Sequence, residues 1–399
     1  MKVLIADKLE KEAVTALTAA GITVDYDPEA GAKGLTALAD HDVLVVRSSK
    51  VSGDVIRNAK NLQLVVRAGA GVNTIDVAAA SSRGVFVTNC PGKNAIAVAE
   101  LTFALMLGLD RRVHRASNDL TAGRWNKKEY AKADGVFGKT LGVVGLGQIG
   151  REVAARAASF GLNVVAWSRS LTDESAAELG VVRAPDLLTL AAKSDIVSVH
   201  VAHTADTKHC INAAFLAMLP EHAMLINMAR DGIVDEQAVT AAMKTRGLRY
   251  ASDVFDGEPS AGEGPFVHAL AGDPAVLATP HIGASTQQAQ NAVAAEAVRI
   301  ITTFTRTGQA LNCVNLCKQS PAQWQLNVRH LDRVGVLANV LGSLRESNIN
   351  VEEVENVIFD GAEAASARIR LGGEPPADLV ARIGQYDHVL DARLVRLSQ

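Results

Sequence analysis

The chain has 399 residues, longer than a single hydrophobic core usually organises, so two or three domains are expected. Apolar residues make up 48% and charged residues 21%, and a formal net charge of −3 gives no electrostatic reason to bind nucleic acid or an anionic membrane. Aromatics at 4% argue against base-stacking platforms, and no apolar run reaches membrane-spanning length.

Met1 leads directly into the strand pattern KVLIAD, leaving no room for a signal peptide, and a cytoplasmic location is expected. Further short apolar runs, ITVDY, VLVVRS, LQLVVRAGAG and GVFVTNC, alternate with helical patterns over the first ninety or so residues. That alternation predicts a parallel sheet covered on both faces. From Asn94 one long apolar helix is predicted through NAIAVAELTFALMLGLDRRVHRASNDLTAG. A second α/β series begins at KTLGVVGLG and runs through NVVAWS, DIVSVHV, AMLINMA and YASDVF to AVLATPHIG. Two such sheets in one chain imply a cleft between them. The helix STQQAQNAVAAEAVRIITTFTRTG then returns the chain to the first domain. NLCKQSPAQ, residues 315–323, reads as a linker. The remainder, 324–399, has the strand–helix–strand–strand–helix–strand order of a ferredoxin-like module. The four cysteines, Cys90, Cys210, Cys313 and Cys317, lack zinc-ligand spacing, so free thiols and no metal site are expected.

Gly145, Gly147 and Gly150 form GxGxxG, with Gln148 and Ile149 between the last two, directly after an apolar strand and at the mouth of a helix. Small residues there let the backbone approach a pyrophosphate, and the helix N-terminus offers unpaired N–H donors. NAD sites usually end the second strand in an acid that binds the ribose hydroxyls. Here that strand ends in Trp167, Ser168 and Arg169, residues suited to pair with a 2′-phosphate, so the local chemistry favours NADP. The fold class is therefore α/β: two Rossmann-like parallel-sheet domains with a cleft between them, plus a C-terminal ferredoxin-like βαββαβ module. Residues 94–285 form the expected dinucleotide-binding domain, and 1–93 with 286–314 the substrate-binding domain.

Three downstream stretches supply what oxidation of a secondary alcohol needs. NMARDG places Arg230 after a strand, DVFDGEP places Glu258 in a loop, and TPHIGAST places His281 after the next apolar run. Histidine suits the proton acceptor near neutral pH, a neighbouring carboxylate orients it and raises its pKa, and an arginine can bind a substrate carboxylate. Taken singly, each has an ordinary alternative as a surface cation, a solvated loop acid or a buried ring.

The combination, with RAGAGVNTID, NAIAVAELTFALML, GKTLGVVGLGQIG, NMARDGIVDE, DVFDGEP and TPHIGAST, resembles the D-isomer-specific 2-hydroxyacid dehydrogenases. Among them the phosphoglycerate-oxidising enzymes are most similar. The resemblance covers about the first 310 residues. It implies catalytic roles for Arg230, Glu258 and His281, and places Asp253 near the nicotinamide carboxamide. It also implies a substrate-carboxylate loop at Ala68 to Val72, with Ala70, Gly71 and Val72 facing an anion. Arg47 and Arg67 resemble the phosphate-side arginines. RSSKV is one residue shorter than the related form, leaving Lys50 open as a third contact, and Ala202 stands where proline is usual, which weakens a role for His203. The resemblance implies NAD, against the NADP lean of Ser168 and Arg169, so NAD is the default and NADP is kept beside it.

The tail resembles an ACT domain, a sensor of small molecules in amino-acid metabolism, carried by HLDRVGVLANVLGSLRESNIN. His330, Asp332 and Asn350 fall at its serine-binding positions, so serine is an expected effector. Pairing of sheet edges between copies implies a homodimer or homotetramer. The reaction implied is oxidation of 3-phospho-D-glycerate in the first step of serine biosynthesis. Two alternatives stand beside it: a glyoxylate or hydroxypyruvate reductase, and a dinucleotide-sensing co-repressor or scaffold.

Overall fold

The computed structural model describes residues 1–35, 38, 40–259, 263–317 and 319–397; Lys318 of the expected linker and the last two residues of the tail lie outside them. The chain divides into two compact units, Met1–Asn315 and Leu316–Gln399. No helix among the described residues is long and apolar enough to cross a membrane.

In the first unit, the runs read as strands form β1 (Lys2–Ile5), β2 (Thr23–Tyr26), β3 (Val43–Val46), β4 (Leu64–Arg67) and β5 (Phe86–Asn89). They make a parallel sheet of order β2-β1-β3-β4-β5. β3 is buried along its whole length, as continuous β-branched and leucine runs require when both faces are covered. A second parallel sheet contains β6 (Thr140–Val144), β7 (Asn163–Trp167), β8 (Val182–Arg183), β9 (Ile196–Val199), β10 (Met224–Asn227), β11 (Arg249–Ser252) and β12 (Leu277–Ala278). Its order, β12-β11-β10-β9-β6-β7-β8, reverses direction between β6 and β9. The first sheet reverses between β1 and β3. Ligands of open α/β sheets bind beyond the strand C-termini at such points.

The helix Gln287–Thr307 packs Ala294, Ala297, Ile300, Ile301 and Phe304 into the core of the first sheet, beside Val3, Ile5, Val43 and Val66. The helix Ala95–Arg111 buries Val98, Phe103 and Met106 against the second sheet.

Two details differ from the sequence expectation. The long helix from Asn94 is two helices, Ala95–Arg111 and Val113–Thr121, broken at Arg112 with φ 52° and ψ 40°. At this break the Arg112 guanidinium donates to the Glu129 carboxylate at 2.6 Å and carbonyl at 2.5 Å, and lies 5.6 Å from the centre of the Tyr130 ring. The two-residue β8 is an addition, too short for a periodic pattern to reveal.

The second unit contains β13 (Trp324–Leu331), β14 (Val351–Ile358), β15 (Ala364–Leu371) and β16 (Val389–Arg396), with helices Val336–Glu346 and Ala377–Ile383. The antiparallel sheet has order β14-β15-β13-β16, the ferredoxin-like arrangement. Gly335, at φ 90°, makes the left-handed turn into the first helix.

Candidate active site

Beyond β6 the chain turns through Gly145 to Gly147, the N-cap of the helix Gln148–Ala157. Gly145 has φ 97°, and a Cβ there would lie 2.9 Å from the backbone of His200 and Val201. A Cβ on Gly150 would meet the Gly145 carbonyl oxygen at 2.1 Å. On Gly147 it would meet nothing within 4 Å, so space stays open before the helix N-terminus. Two glycines close the turn and one keeps it accessible, which is what a pyrophosphate cradle requires. Gln148 opens the helix beside Gly92, and Ile149 packs against the core of the second sheet.

Ser168 and Arg169 follow β7. The Arg169 guanidinium lies 3.6 Å from the carboxylate of Asp206, and both are largely exposed, so the pair is weak and accessible. Asp206 belongs to the loop after β9 and was not among the sequence candidates. Asp253, only 3% exposed, accepts hydrogen bonds from Thr279 Oγ1 (2.6 Å), Ile282 N (2.8 Å) and Gly283 N (2.8 Å). Those bonds hold the loop that carries His281.

His281 itself has φ 50°, a left-handed conformation that costs a residue with a side chain about 1–3 kcal/mol and is retained mainly at functional sites. Its Nδ1 lies 2.6 Å from Glu258 Oε2, while Glu258 Oε1 accepts the Phe255 N–H at 2.8 Å. The hydrogen bond to Glu258 raises the His281 pKa against the opposing effect of burial. Burial pushes the Glu258 carboxyl up, but the hydrogen bonds from His281 and Phe255 outweigh it and hold the net value down. With Nδ1 committed, Nε2 is the nitrogen left for proton transfer.

His281 and Glu258 share a cavity of about 400 Å³ with Arg47, Ser48, Arg67 and Gly69. Arg67 ends β4, and its Nε is buried with no hydrogen-bond partner among the described residues. Burial lowers its pKa, and repulsion from Arg230 and Arg47 adds to the shift. Three cations crowd one region. Arg230 donates from Nη1 to the Ala229 carbonyl at 2.6 Å, and a Cβ on Gly71 would lie 3.3 Å from its Nη2. The turn of Ala70, Gly71 and Val72 therefore passes beside Arg230; Asn89 Nδ2 fixes it through the Ala70 carbonyl at 2.5 Å, and Val72 packs against the core that holds Leu44, Val46 and Val65 of the first sheet. Lys50 and His203 are exposed, the latter's ring about 3.3 Å from where a Gly232 Cβ would stand. Ser48 and Asn94 also line the cavity and were missed, because isolated Ser and Asn carry no pattern.

In the second unit, His330 is 2% exposed; its Nδ1 lies 2.8 Å from the Leu331 carbonyl oxygen and its Nε2 3.3 Å from Asn356 Oδ1. Asn350 Nδ2 donates to Glu352 at 2.7 Å. One copy does not bring the three effector candidates together. His330 pairs with Ala365, which faces Ile358, whereas Val351, next to Asn350, faces Leu371 and hence Trp324. Six residues of strand, about 20 Å, separate those ends.

The residues that titrate with His281 set a pH expectation. Glu258 favours the imidazolium, so oxidation, which needs the neutral ring, should lose its acid limb at a pH above that of an ordinary histidine. Glu258→Gln should move that limb of kcat/KM to lower pH; an unmoved limb would show the two side chains to be uncoupled.

Comparison with known proteins fits this geometry. Residues 103–283 match the NAD binding domain of the D-isomer specific 2-hydroxyacid dehydrogenases. Over 346 residues the chain is 37% identical to D-3-phosphoglycerate dehydrogenase of Methanocaldococcus jannaschii, covering 86% of this chain and 64% of that one. It thus spans just under two thirds of that relative's length. It is 42% identical over 263 residues to hydroxypyruvate reductase of Thermotoga maritima, covering 65% of this chain and 83% of the relative. A solved structure, NAD+-bound 3-phosphoglycerate dehydrogenase of Entamoeba histolytica, matches with TM-score 0.64 and 26% identity, covering 79% of this chain and 99% of that one. The chain belongs to the D-isomer-specific 2-hydroxyacid dehydrogenase family.

Proposed function

We propose that the chain oxidises 3-phospho-D-glycerate to 3-phosphohydroxypyruvate with NAD, the first step of serine biosynthesis. The observation that carries this reading is Arg67: a half-buried arginine whose Nε is buried without a hydrogen-bond partner among the described residues, crowded by Arg47 and Arg230, in the cavity that holds His281 and Glu258. Such a cluster of cations favours a substrate with two anionic ends. Arg230 and the Ala70–Val72 turn would take the carboxylate, and Arg47 with Arg67 the phosphate. His281 Nε2 would accept the hydroxyl proton while Glu258 steadies the imidazolium. Arg230 would polarise the developing carbonyl. When bound, the dinucleotide supplies the hydride acceptor; Gly145, Gly147, Gln148, Ile149 and Gly150 would hold its pyrophosphate and Ser168 and Arg169 its ribose. We divide the first unit into 1–93 with 286–314 for substrate and 94–285 for the dinucleotide.

The direct test is product identity. Incubation with NAD and 3-phosphoglycerate in the presence of a hydrazine trap should yield the hydrazone of phosphohydroxypyruvate; absence of the trapped ketone would overturn the assignment. A second reading, reduction of hydroxypyruvate, is favoured by Arg169 at the end of β7 and by the likeness to the Thermotoga enzyme. The cofactor ratio separates the two. Ser168→Asp should swing preference towards NAD by roughly tenfold or more, because the new carboxylate binds ribose hydroxyls and repels a 2′-phosphate. An unchanged ratio of catalytic efficiencies would show that this strand end does not meet the ribose.

We read the second unit as an ACT-type sensor of serine. Because His330 and Asp332 lie far from Asn350 in one copy, this reading requires residues from two copies. The edge strand β14, with Val354, Val357 and Ile358 exposed, supports pairing into a homo-oligomer.

A further inference from the structure

Asp7 stands just beyond β1, at the point where the first sheet reverses, and its carboxylate reaches the turn after β3. Its Oδ2 accepts the backbone N–H groups of Arg47 (2.5 Å), Ser48 (2.9 Å) and Ser49 (2.9 Å), and Oδ1 accepts from Ser49 Oγ at 2.5 Å. Three consecutive amides converging on one oxygen form a nest of the kind that binds anions. Here the anion is the chain's own. The turn so held is the one that brings Arg47 and Ser48 to the wall of the cavity. Gly31 closes over it: a Cβ there would lie 1.8 Å from Ser49 Oγ and 2.7 Å from Asp7 Oδ1. Burial pushes the Asp7 carboxyl up, but the hydrogen bonds from Ser49, Arg47 and Ser48 outweigh it and keep its pKa below the ordinary value. The contact therefore persists in its ionised form at neutral pH.

We propose that Asp7 is a positioning residue for recognition of the substrate's phosphate. By filling the nest it fixes the Arg47–Ser49 turn, so that the phosphate meets arginine side chains and not backbone amides. The inference rests on the phosphate role given to Arg47 above. It gives Asp7, which does not line the cavity, control over one end of the substrate only.

The test compares Asp7→Ala, Asp7→Asn and Arg47→Ala in the full chain, with 3-phosphoglycerate and with glycerate. Asp7→Ala should raise KM for 3-phosphoglycerate about tenfold while kcat, the KM for glycerate and the KM for NAD stay near wild type. Asp7→Asn should restore most of the loss, since its amide oxygen can take the three N–H groups and its NH2 can donate to Ser49 Oγ. If Asp7→Ala does not fold, Gly31→Ala, which displaces the turn with the carboxylate retained, carries the same expectation. A KM for 3-phosphoglycerate that is unchanged or lowered in Asp7→Ala, while Arg47→Ala raises it, overturns the inference and leaves the role of Arg47 standing. Equal losses for both substrates in Asp7→Ala also overturn it. An Arg47→Ala variant that does not distinguish the substrates overturns both.

Discussion

Replacing His281 by alanine is expected to lower kcat for hydroxy-acid oxidation by roughly a hundredfold or more, the usual effect of losing a positioned general base. The expectation follows from three features acting on one ring. The left-handed backbone at residue 281 aims the side chain, the Asp253 hydrogen bonds to Thr279, Ile282 and Gly283 hold the loop, and Glu258 takes Nδ1. None of these touches the Gly145–Gly150 turn beyond β6, proposed above to hold the pyrophosphate, so the dissociation constant for NAD measured by fluorescence titration should stay near wild type. Near-normal turnover at neutral pH would remove His281 from the chemistry. A large loss of NAD affinity would place it in cofactor binding instead.

The second large effect is expected at Arg67. Arg67→Ala should lower kcat/KM for 3-phosphoglycerate by roughly tenfold to a few hundredfold, as expected when one charge-assisted hydrogen bond of about 1.5–3 kcal/mol is lost. Glycerate, which lacks the phosphate, should lose far less. Stability should separate this role from a structural one. Arg67 makes no ion pair among the described residues and is repelled by Arg47 and Arg230. Its removal should therefore leave the thermal midpoint near wild type, or raise it. Equal losses for both substrates, or a sharp fall in Tm, would show that Arg67 serves something other than the phosphate.

How far the sequence reveals this protein depends on whether each feature is local. The parallel strands are legible because burial on both faces demands continuous apolar runs, as in VLVV of β3 and MLI of β10. The glycine turn is legible because its three glycines, two of them with no room for a Cβ, fall within six residues. The break at Arg112 is not, since the partner its side chain meets there, Glu129, lies seventeen residues further on. Asp7 and Asp206 are equally hidden: a lone aspartate shows no partner until the turn after β3 or the end of β7 is beside it. His281 and Glu258 lie 23 positions apart and meet only because β11 and β12 are neighbours. For the second unit, the order of elements is written in the sequence, but the neighbour of His330 is Asn356, set by the pairing of β13 and β14 with β15.

The most direct test of the central claim is the ratio of catalytic efficiencies for 3-phosphoglycerate and glycerate, each measured with NAD and with NADP on the full chain. The proposed roles of Arg47 and Arg67, which line the cavity with His281, and of the neighbouring Arg230 predict that 3-phosphoglycerate with NAD is the most efficient pair, by roughly a hundredfold over glycerate, in keeping with the loss of the phosphate's charge-assisted hydrogen bonds. Equal efficiency for glycerate, or turnover only with NADP and unphosphorylated acids, would contradict the account.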